Sequence, residues 1–290
     1  MAATIAVLGA NGVYARHLIP RLVASGHEVR ALVRRREAAG VAAACGADIR
    51  KADIFDLGSM RAALEGCEIG VNLATTLPGP SGRGDFAAND RLRSEGTPNW
   101  VRACREAGVG RVIQQSIALV NSGAGEAWAD EDTVYPPENE TIAGRAIAAA
   151  LSMEATVRQS QLDWLILRGG LFYGPGTGFD EDWYSRALMG KLRLPGDGAD
   201  YVSLAHIADM AAATVAAIAR WPSRQALIVA DDMPVRWREL FTHITKSVGS
   251  NDPEPGGLAG FPSFRVSNAR ARDALGWRPF HTDYRSGLAR

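Results

Sequence analysis

Short apolar runs alternate with longer amphipathic segments through the first 170 residues of the chain. Runs rich in β-branched and aliphatic residues predict strands, and apolar positions that recur every three or four residues predict helices. The predicted strands are 4–9, 27–33, 47–51, 69–74, 111–116 and 163–169, and the predicted helices between them are 13–25, 58–65, 86–107 and 140–160. Helices that connect apolar strands form βαβ crossovers, so we expect a parallel sheet covered on both faces.

From about residue 171 the pattern changes, because glycine- and proline-rich stretches such as "GPGTG" and "LPGDG" interrupt it. Further helices fit 181–190, 206–220, 234–248 and 267–275. We therefore expect an α/β fold, with a Rossmann-type doubly wound parallel sheet over 1–170 and a smaller C-terminal substrate lobe over 171–290. Returns of the chain from this lobe to the sheet are possible.

The stretch "VLGANGVYA" (7–15) has the spacing of a dinucleotide-binding turn at the junction of the first strand and helix. Gly9 permits the tight turn, Gly12 lets the backbone approach the phosphates, and Ala15 lets the helix pack close to the strand. The start of the helix supplies N–H donors and the positive end of its dipole. The motif therefore predicts a site for a dinucleotide pyrophosphate.

The end of the second predicted strand indicates which dinucleotide is preferred. An acidic residue there would bind the ribose hydroxyls of NAD, whereas arginine accommodates the extra phosphate of NADP. The sequence reads "ALVRRRE", with Arg34 nearest the strand end and no acid before Glu37. A solvated basic turn is the plainer interpretation. We expect NADP(H) to be preferred, with NAD(H) possible.

Charge and cysteine usage limit the classes of function. Basic residues number 32 and acidic residues 32, which gives no electrostatic reason to bind nucleic acid or an anionic membrane. No apolar run reaches the ~20 residues of a membrane helix, and no secretory signal is apparent. The 3 cysteines are far apart, which suits thiols in a reducing compartment and predicts a cytoplasmic protein. With nucleic acid and membrane disfavoured, we expect a small-molecule substrate. The 5 histidines lack metal-ligand spacing, so we expect no metal site.

A series of motifs runs along nearly all of the chain. They are the glycine-rich loop, "DIFD", "NLAT", "EGTPNWVRACREAGVGRVI", "DEDTVYPP", "LRGGLFYGPG", "LPGDGADYVSLAHIADMA" and "ARDALGWRP". In this order they resemble the extended short-chain dehydrogenase/reductases, the NAD-dependent epimerase/dehydratase family. The resemblance implies a Rossmann domain that holds the nucleotide and a smaller lobe over the substrate. It leaves a homodimer possible.

The same resemblance assigns the cofactor contacts by position. The loop residues Gly9, Asn11, Gly12, Val13 and Tyr14 would line the phosphates, Asp53 and Ile54 would meet adenine, Leu73, Ala74 and Thr75 would pass the ribose, and Gly170 and Leu171 would lie near the nicotinamide. The strand pattern by itself also places the "NLATT" segment at the exit of the fourth strand, beside the crevice.

The family's catalytic tyrosine and the lysine four residues after it are missing from this chain. Glu154 matches a family glutamate four residues after the lysine, and this register places Ala150 and Ala146 where the lysine and tyrosine stand. Ile117 then takes the place of the catalytic hydroxyl, which a slip of one residue would give to Ser116. Hydride transfer at a carbonyl leaves charge on oxygen that a tuned acid or base must take up. We therefore do not expect the family's tyrosine-driven chemistry.

Two classes of function remain. In the first, the chain is an NAD(P)-binding oxidoreductase or epimerase/dehydratase-like enzyme that acts on a small carbonyl or hydroxyl substrate with other groups. The candidates for these groups are Tyr135, Tyr173, Ser116, Tyr184 and His206. In the second, it is a non-catalytic NAD(P)-sensing regulatory or scaffold protein. The complete substrate lobe, with "YGPG", "PGDG" and "LGWRP", favours the enzyme.

Overall fold

A computed structural model describes residues 2–77, 84–123, 125–133, 136, 140–258 and 260–288. The strands are β1 (Thr4–Leu8), β2 (Glu28–Val33), β3 (Asp48–Lys51), β4 (Ile69–Asn72), β5 (Arg111–Ile117), β6 (Asp163–Gly169), β7 (Leu171–Tyr173), β8 (Arg193–Pro195), β9 (Tyr201–Val202), β10 (Leu204–His206), β11 (Gln225–Val229), β12 (Val235–Arg236) and β13 (Glu254–Gly257). The six strands predicted for the first 170 residues are present with slightly shifted ends.

The helices occur where the periodicity predicted them, together with short ones that it did not indicate. They are α1 (Val13–Ala24), α2 (Gly40–Ala44), α3 (Leu57–Leu64), α4 (Phe86–Arg91), α5 (Thr97–Glu106), α6 (Ile142–Gln159), α7 (Phe179–Leu188), α8 (Ile207–Arg220), α9 (Trp237–Ser247), α10 (Ala269–Leu275) and α11 (Tyr284–Gly287). The predicted helix 86–107 is interrupted by a π turn, Leu92–Gly96, which joins α4 to α5. None of the helices described combines the length and apolar character that crossing a membrane requires.

Seven parallel strands form the central sheet in the order β11-β6-β5-β4-β1-β2-β3. In β1, Ile5 lies opposite Val29 of β2 on one side and Ile69 of β4 on the other. The chain winds outward in both directions from β1 and β4, so the strand order reverses between them. In doubly wound folds the crevice at the carboxyl ends of such strands is where ligands bind.

Apolar layers cover both faces of this sheet, which explains why its strands read as nearly continuous apolar runs. On one face α1 and α8 contribute Leu18, Leu22 and Met210 to a buried cluster. On the other face α3 and α5 contribute Met60 and Trp100. The sheet is therefore a rigid platform for the residues at its carboxyl edge.

The region after residue 170 builds a second core and also returns to the sheet. β11 pairs in parallel with β6, and α8 packs on the first face, so these two elements belong to the nucleotide-binding layer. The smaller lobe is organised around aromatic side chains, in which Trp183 lies 6.3 Å from Trp237 and 5.8 Å from Phe241 between ring centroids. Pairs of short strands, such as β7 with β10, connect this lobe to the platform.

Candidate functional site

The glycine-rich loop has the backbone shape that a dinucleotide requires. Gly9 has a φ of 79°, and a Cβ placed on it would lie 2.9 Å from the backbone nitrogen and Cα of Ala74. Gly12 donates its N–H to the carbonyl oxygen of Gly9 at 2.9 Å and precedes the first residue of α1. The loop thus leaves a side-chain-free cradle at a helix N-terminus, which fits a pyrophosphate group.

The side chains that flank this cradle have different roles. Asn11 is exposed beside the loop. Val13 packs toward the loop after β7, where a Cβ on Gly176 would lie 3.3 Å from its Cγ2. Tyr14 is buried, and its hydroxyl hydrogen-bonds the hydroxyl of Thr214 in α8. Only the backbone of Tyr14 is therefore available to a phosphate, because its ring joins α1 to α8.

The residues assigned to the adenosine half lie at the ends of β2 and β3. Arg34 follows β2, is exposed, and makes no ion pair with any residue of the described part of the chain. Asp53 is half-buried, and its Oδ1 accepts the N–H of Phe55 at 3.0 Å. Ile54 is buried against Gly96, where an added Cβ would lie 3.0 Å from its Cδ1. The arrangement leaves a free guanidinium at the end of β2 and an apolar surface next to it.

The exit of β4 passes directly under the loop. Leu73 is buried, and Ala74 is the residue that the Cβ of a side chain at position 9 would meet. Thr75 donates its hydroxyl to Oδ1 of Asn89 in α4 at 2.9 Å. This segment therefore packs against the loop at Ala74 and is hydrogen-bonded to α4 through Thr75.

Gly170 and Leu171 lie where β6 leaves the sheet and β7 begins. Gly170 donates to the carbonyl of Val229 at 3.0 Å, and a Cβ on it would lie 2.6 Å from the carbonyl oxygen of Ser203. Leu171 donates to that same carbonyl oxygen at 2.9 Å. The turn therefore depends on a glycine, and its backbone groups are already paired.

The positions of the missing catalytic groups carry apolar side chains that are buried or half-buried. Ala150 of α6 is fully buried and packs in a cluster with Ile147, Val120 and the half-buried Ile117 at the end of β5. Ala146, one turn earlier, is 8% exposed. No titratable side chain stands at Ile117, Ala146 or Ala150, so the groups that would exchange a proton with a substrate oxygen are absent from these positions.

Glu154 and Ser116 belong to a buried ionic network. Arg168 of β6 donates to the two carboxylate oxygens of Glu154 at 2.9 and 2.7 Å, and Ser116 donates its hydroxyl to Oε1 at 2.7 Å. Burial raises the pKa of Glu154, but hydrogen bonds and charge from Arg168 outweigh it and hold the pKa below its usual value. Ser116 is 1% exposed. Its hydroxyl is therefore committed to Glu154, and the retained glutamate has a structural partner.

Tyr173, one of the candidate tyrosines, is enclosed in the protein. Tyr173 is fully buried and donates its hydroxyl to Oδ2 of Asp231 at 3.0 Å. Burial and the adjacent Asp231 carboxylate raise the pKa of Tyr173, so it stays a neutral phenol. Tyr135 lies outside the described residues. We do not carry Tyr173 or Ser116 forward as proton donors, because both hydroxyls are buried and already bonded.

Arg93 in the π turn is a residue that the sequence reading missed. It is 7% exposed, and its Nη1 donates to the carbonyl oxygen of Ala146 at 3.0 Å. Asn89, Arg93 and Thr97 recur every four residues and are all buried. An arginine on the inward face of the predicted helix 86–107 was the signal that could have identified it.

His206, Asp209 and His281 come together in the structure, although the sequence spacing did not predict a cluster. Nδ1 of His281 lies 2.8 Å from Oδ2 of Asp209, and the two imidazole rings stack with centroids 3.6 Å apart. Two imidazoles on one tetrahedral zinc ion would hold their centroids about 5 Å apart, since each Zn–N bond is about 2 Å long. The geometry fits a hydrogen-bonded stack rather than a shared ion.

Comparison with known proteins agrees with this construction. The NAD(P)H-binding family model matches residues 9–218. A 3-diazoavenalumate denitrifying reductase of Streptomyces sp is 34% identical over 99% of both chains. A UDP-glucose 4-epimerase of Mycolicibacterium smegmatis is 28% identical over 94% of this chain and 92% of its own. The solved structure of MoeE5 in complex with UDP-glucose and NAD superposes with a TM-score of 0.78, at 26% identity over 99% of this chain and 96% of that one.

These matches confirm the predicted α/β Rossmann-type fold and an NAD(P)-binding protein related to reductases and epimerases. The non-catalytic alternative finds no support among them, since the named relatives are enzymes. The chain therefore belongs to the NAD(P)H-binding family and, with its reductase and epimerase relatives, to the extended short-chain dehydrogenase/reductases.

Proposed function

We propose that the protein is an NADPH-dependent reductase that acts on an aryl diazo compound and releases its nitrogen as N2. The observation that carries the proposal is that apolar, mostly buried residues, Ile117, Ala146 and Ala150, stand at the family's catalytic positions in a chain similar along its whole length to a denitrifying reductase of a diazo substrate. The family's carbonyl chemistry needs an acid at this place, so a reaction that needs none fits the site better.

The balance of the reaction explains why no acid is needed. When bound, the reduced nicotinamide supplies a hydride. An aryl diazonium ion that accepts the hydride at its nitrogen-bearing carbon becomes an arene, and the electron pair of the broken C–N bond leaves with N2. No proton is gained or lost, and the charges balance because a cation combines with a hydride. Carbonyl reduction differs, since the oxygen must take up a proton.

The residues of this chain would bind and orient rather than exchange protons. The cradle of Gly9 and Gly12 would hold the pyrophosphate at the start of α1. The half-buried Ile117, packed against the buried Ala150, would present an apolar wall to an aromatic ring, which loses its hydration on binding. Water would be kept from the cationic substrate by this wall.

NADPH is the cofactor we propose over NADH, because Arg34 is exposed at the end of β2 without an ion-pair partner among the described residues. Its guanidinium is free to pair with the 2′-phosphate. A homodimer and a cytoplasmic location stay predictions.

Isotope labelling tests the proposal. The purified protein would be incubated with a stable aryl diazonium salt and NADPH carrying deuterium at the transferable position, with a protein-free control because the reagents react slowly together. We expect N2 release and an arene with deuterium at the carbon that bore nitrogen. The same reaction in D2O with unlabelled NADPH should give an unlabelled arene.

Two results would refute the proposal. Deuterium that enters the arene from D2O would mean that a proton or solvent hydrogen, and not the hydride, reaches this carbon. Efficient NADPH-dependent reduction of aldehydes or ketones, with no acceleration of diazonium reduction above the protein-free control, would instead favour carbonyl chemistry with an acid that lies outside the described residues.

A further inference from the structure

Arg93 is a buried cation that no carboxylate of the described residues contacts. It is 7% exposed, and its single hydrogen bond to the described residues is the one from Nη1 to the carbonyl oxygen of Ala146. A guanidinium has five N–H donors, so most of its capacity is unused. The other buried arginine, Arg168, has a carboxylate of Glu154 at 2.7 Å. Within the described part of the chain, Arg93 has no ion pair of this kind.

Arg93 lies where the π turn meets α6, next to the exit of β4. Asn89 stands one turn earlier and accepts hydrogen bonds from the hydroxyl of Thr75 at 2.9 Å and the N–H of Thr76 at 3.1 Å. Those contacts fix the Arg93 turn against the exit of β4, while Ala146 belongs to α6. The guanidinium therefore lies at the carboxyl edge of the sheet, between the exit of β4 and the helix that lost its tyrosine and lysine.

The charge is retained despite its burial. Burial lowers the pKa of Arg93 to about 10, and the carboxylates of Asp90 and Glu154 act against this from a distance. The side chain is therefore still a cation at neutral pH. No nitrogen of Arg93 is both fully buried and without a hydrogen-bond partner. A desolvated charge without a counterion is costly, and an anion that binds next to it would offset that cost.

We infer that Arg93 binds a carboxylate of the substrate, so that the protein selects aryl carboxylates among the diazo compounds proposed above. The inference rests on the proposed function for the reaction, but its recognition step needs no turnover. A planar guanidinium matches a carboxylate in a two-point hydrogen-bonded pair. The phosphates of the cofactor already have the Gly9–Val13 loop and the exposed Arg34 as partners in the proposed site. The carboxylate would also neutralise the positive charge that a diazonium group brings into the site.

Binding of unreactive probes tests this inference directly. Cinnamate and benzoate would be titrated by calorimetry into the protein saturated with NADP+, alongside cinnamamide and benzamide as neutral counterparts. We expect the native protein to bind each acid at least about tenfold more tightly than its amide, as hydrogen bonds to a charged group imply. In Arg93→Met that ratio should fall to about one, and Arg93→Lys should keep part of it.

Two controls separate this role from others. Arg91→Met removes an exposed arginine of the same segment that pairs with Glu95 at 2.8 Å, and it should leave the acid-to-amide ratio unchanged. NADPH affinity, measured by fluorescence quenching, should change less than about threefold in Arg93→Met and Arg93→Lys. Thermal unfolding of each variant verifies that it is folded.

Two outcomes would overturn the inference. Equal binding of acids and amides by the native protein would remove it even if no variant folds. A large loss of NADPH affinity in Arg93→Lys, with the acid-to-amide ratio preserved, would assign Arg93 to the cofactor instead. If acids are selected but no diazonium is reduced, the carboxylate site stands and the proposed reaction fails, so the two failures are distinguishable.

Discussion

Replacing Glu154 with leucine should destabilise the protein strongly, because the change leaves a buried arginine without its counterion. Glu154 and Arg168 are each 2% exposed, and two short hydrogen bonds of 2.9 and 2.7 Å join them. Breaking a buried pair by removing one partner typically costs about 3–5 kcal/mol. Arg168 would keep bonds to Asn121 and to the carbonyl of Glu131, which offset little of its charge. We expect a loss of about 4 kcal/mol in the free energy of unfolding.

Urea unfolding followed by circular dichroism measures this loss, and the chain supplies matched controls. Arg158→Ala removes a second arginine that contacts the same carboxylate at 3.4 Å, but its side chain is 40% exposed. It should cost no more than about 1 kcal/mol. The double variant Glu154→Leu/Arg168→Met removes both charges and should be more stable than Glu154→Leu alone.

The pH dependence has a definite sign. Because the pKa of Glu154 is held below its usual value in the native state, its stabilising effect is present above the usual pKa and is lost as the pH falls through the native one. A cost below about 1 kcal/mol for Glu154→Leu at neutral pH would refute the reasoning. So would a double variant that is as unstable as the sum of the two single ones.

Three further predictions concern the cofactor loop, the cofactor preference and a buried histidine. Gly9→Ala should weaken NADPH binding at least about tenfold. Gly26→Ala is the control, because Gly26 has a similar φ of 83° but no atom within 4 Å of the new Cβ. It should cost about 1 kcal/mol of stability and leave the NADPH affinity unchanged. Arg34→Ala should remove most of the preference for NADPH over NADH in fluorescence titrations, and equal affinities in the native protein would contradict its assignment. Burial and the neighbouring His281 lower the pKa of His206 to about 4. In the unfolded chain the same histidine has a pKa of about 6.5, so protonation at lower pH favours unfolding. As the pH falls from 6.5 to 4, the native protein should therefore lose up to about 3 kcal/mol of stability relative to His206→Asn.

Periodicity predicted the elements whose environment is uniform along their length. The inner strands of the central sheet are buried on both faces, unlike the exposed edge strand β3, and the long helices have one apolar side, so their patterns are local and regular. β11 escaped prediction because its five residues stand alone in a loop-rich region and gain their place only by pairing with β6. The π turn at Leu92–Gly96 left no mark, since one altered turn hardly changes a helical pattern.

The site divides in the same way. The glycine-rich loop could be predicted because the glycines that its backbone requires are close together in the sequence. The roles of Ser116 and Tyr173 were not, because Ser116 bonds a partner 38 residues away and Tyr173 one 58 residues away. Arg93 escaped for a related reason, since its inward position depends on how α4 and the π turn dock against α6. The local sequence therefore indicates where a special backbone conformation is required. Whether a hydroxyl is already hydrogen-bonded, or a charge already paired, depends on residues far away in the sequence.

A diazonium substrate would give a chemical reason for the missing tyrosine and lysine. A tyrosine with a lowered pKa is a phenolate for part of the time, and the lysine that lowers this pKa as an ammonium ion becomes a nucleophilic amine whenever it loses its proton. Phenolates and amines both attack diazonium ions and form stable nitrogen–nitrogen or nitrogen–carbon bonds, so such a pair would be consumed by the substrate. Tyr14 and Tyr173 are buried with raised pKa values and bonded hydroxyls, which keeps them neutral and unreactive. Alanine at 146 and 150 therefore removes two nucleophiles from the place where a diazonium would bind, and an arginine, which does not lose its proton, supplies the remaining charge.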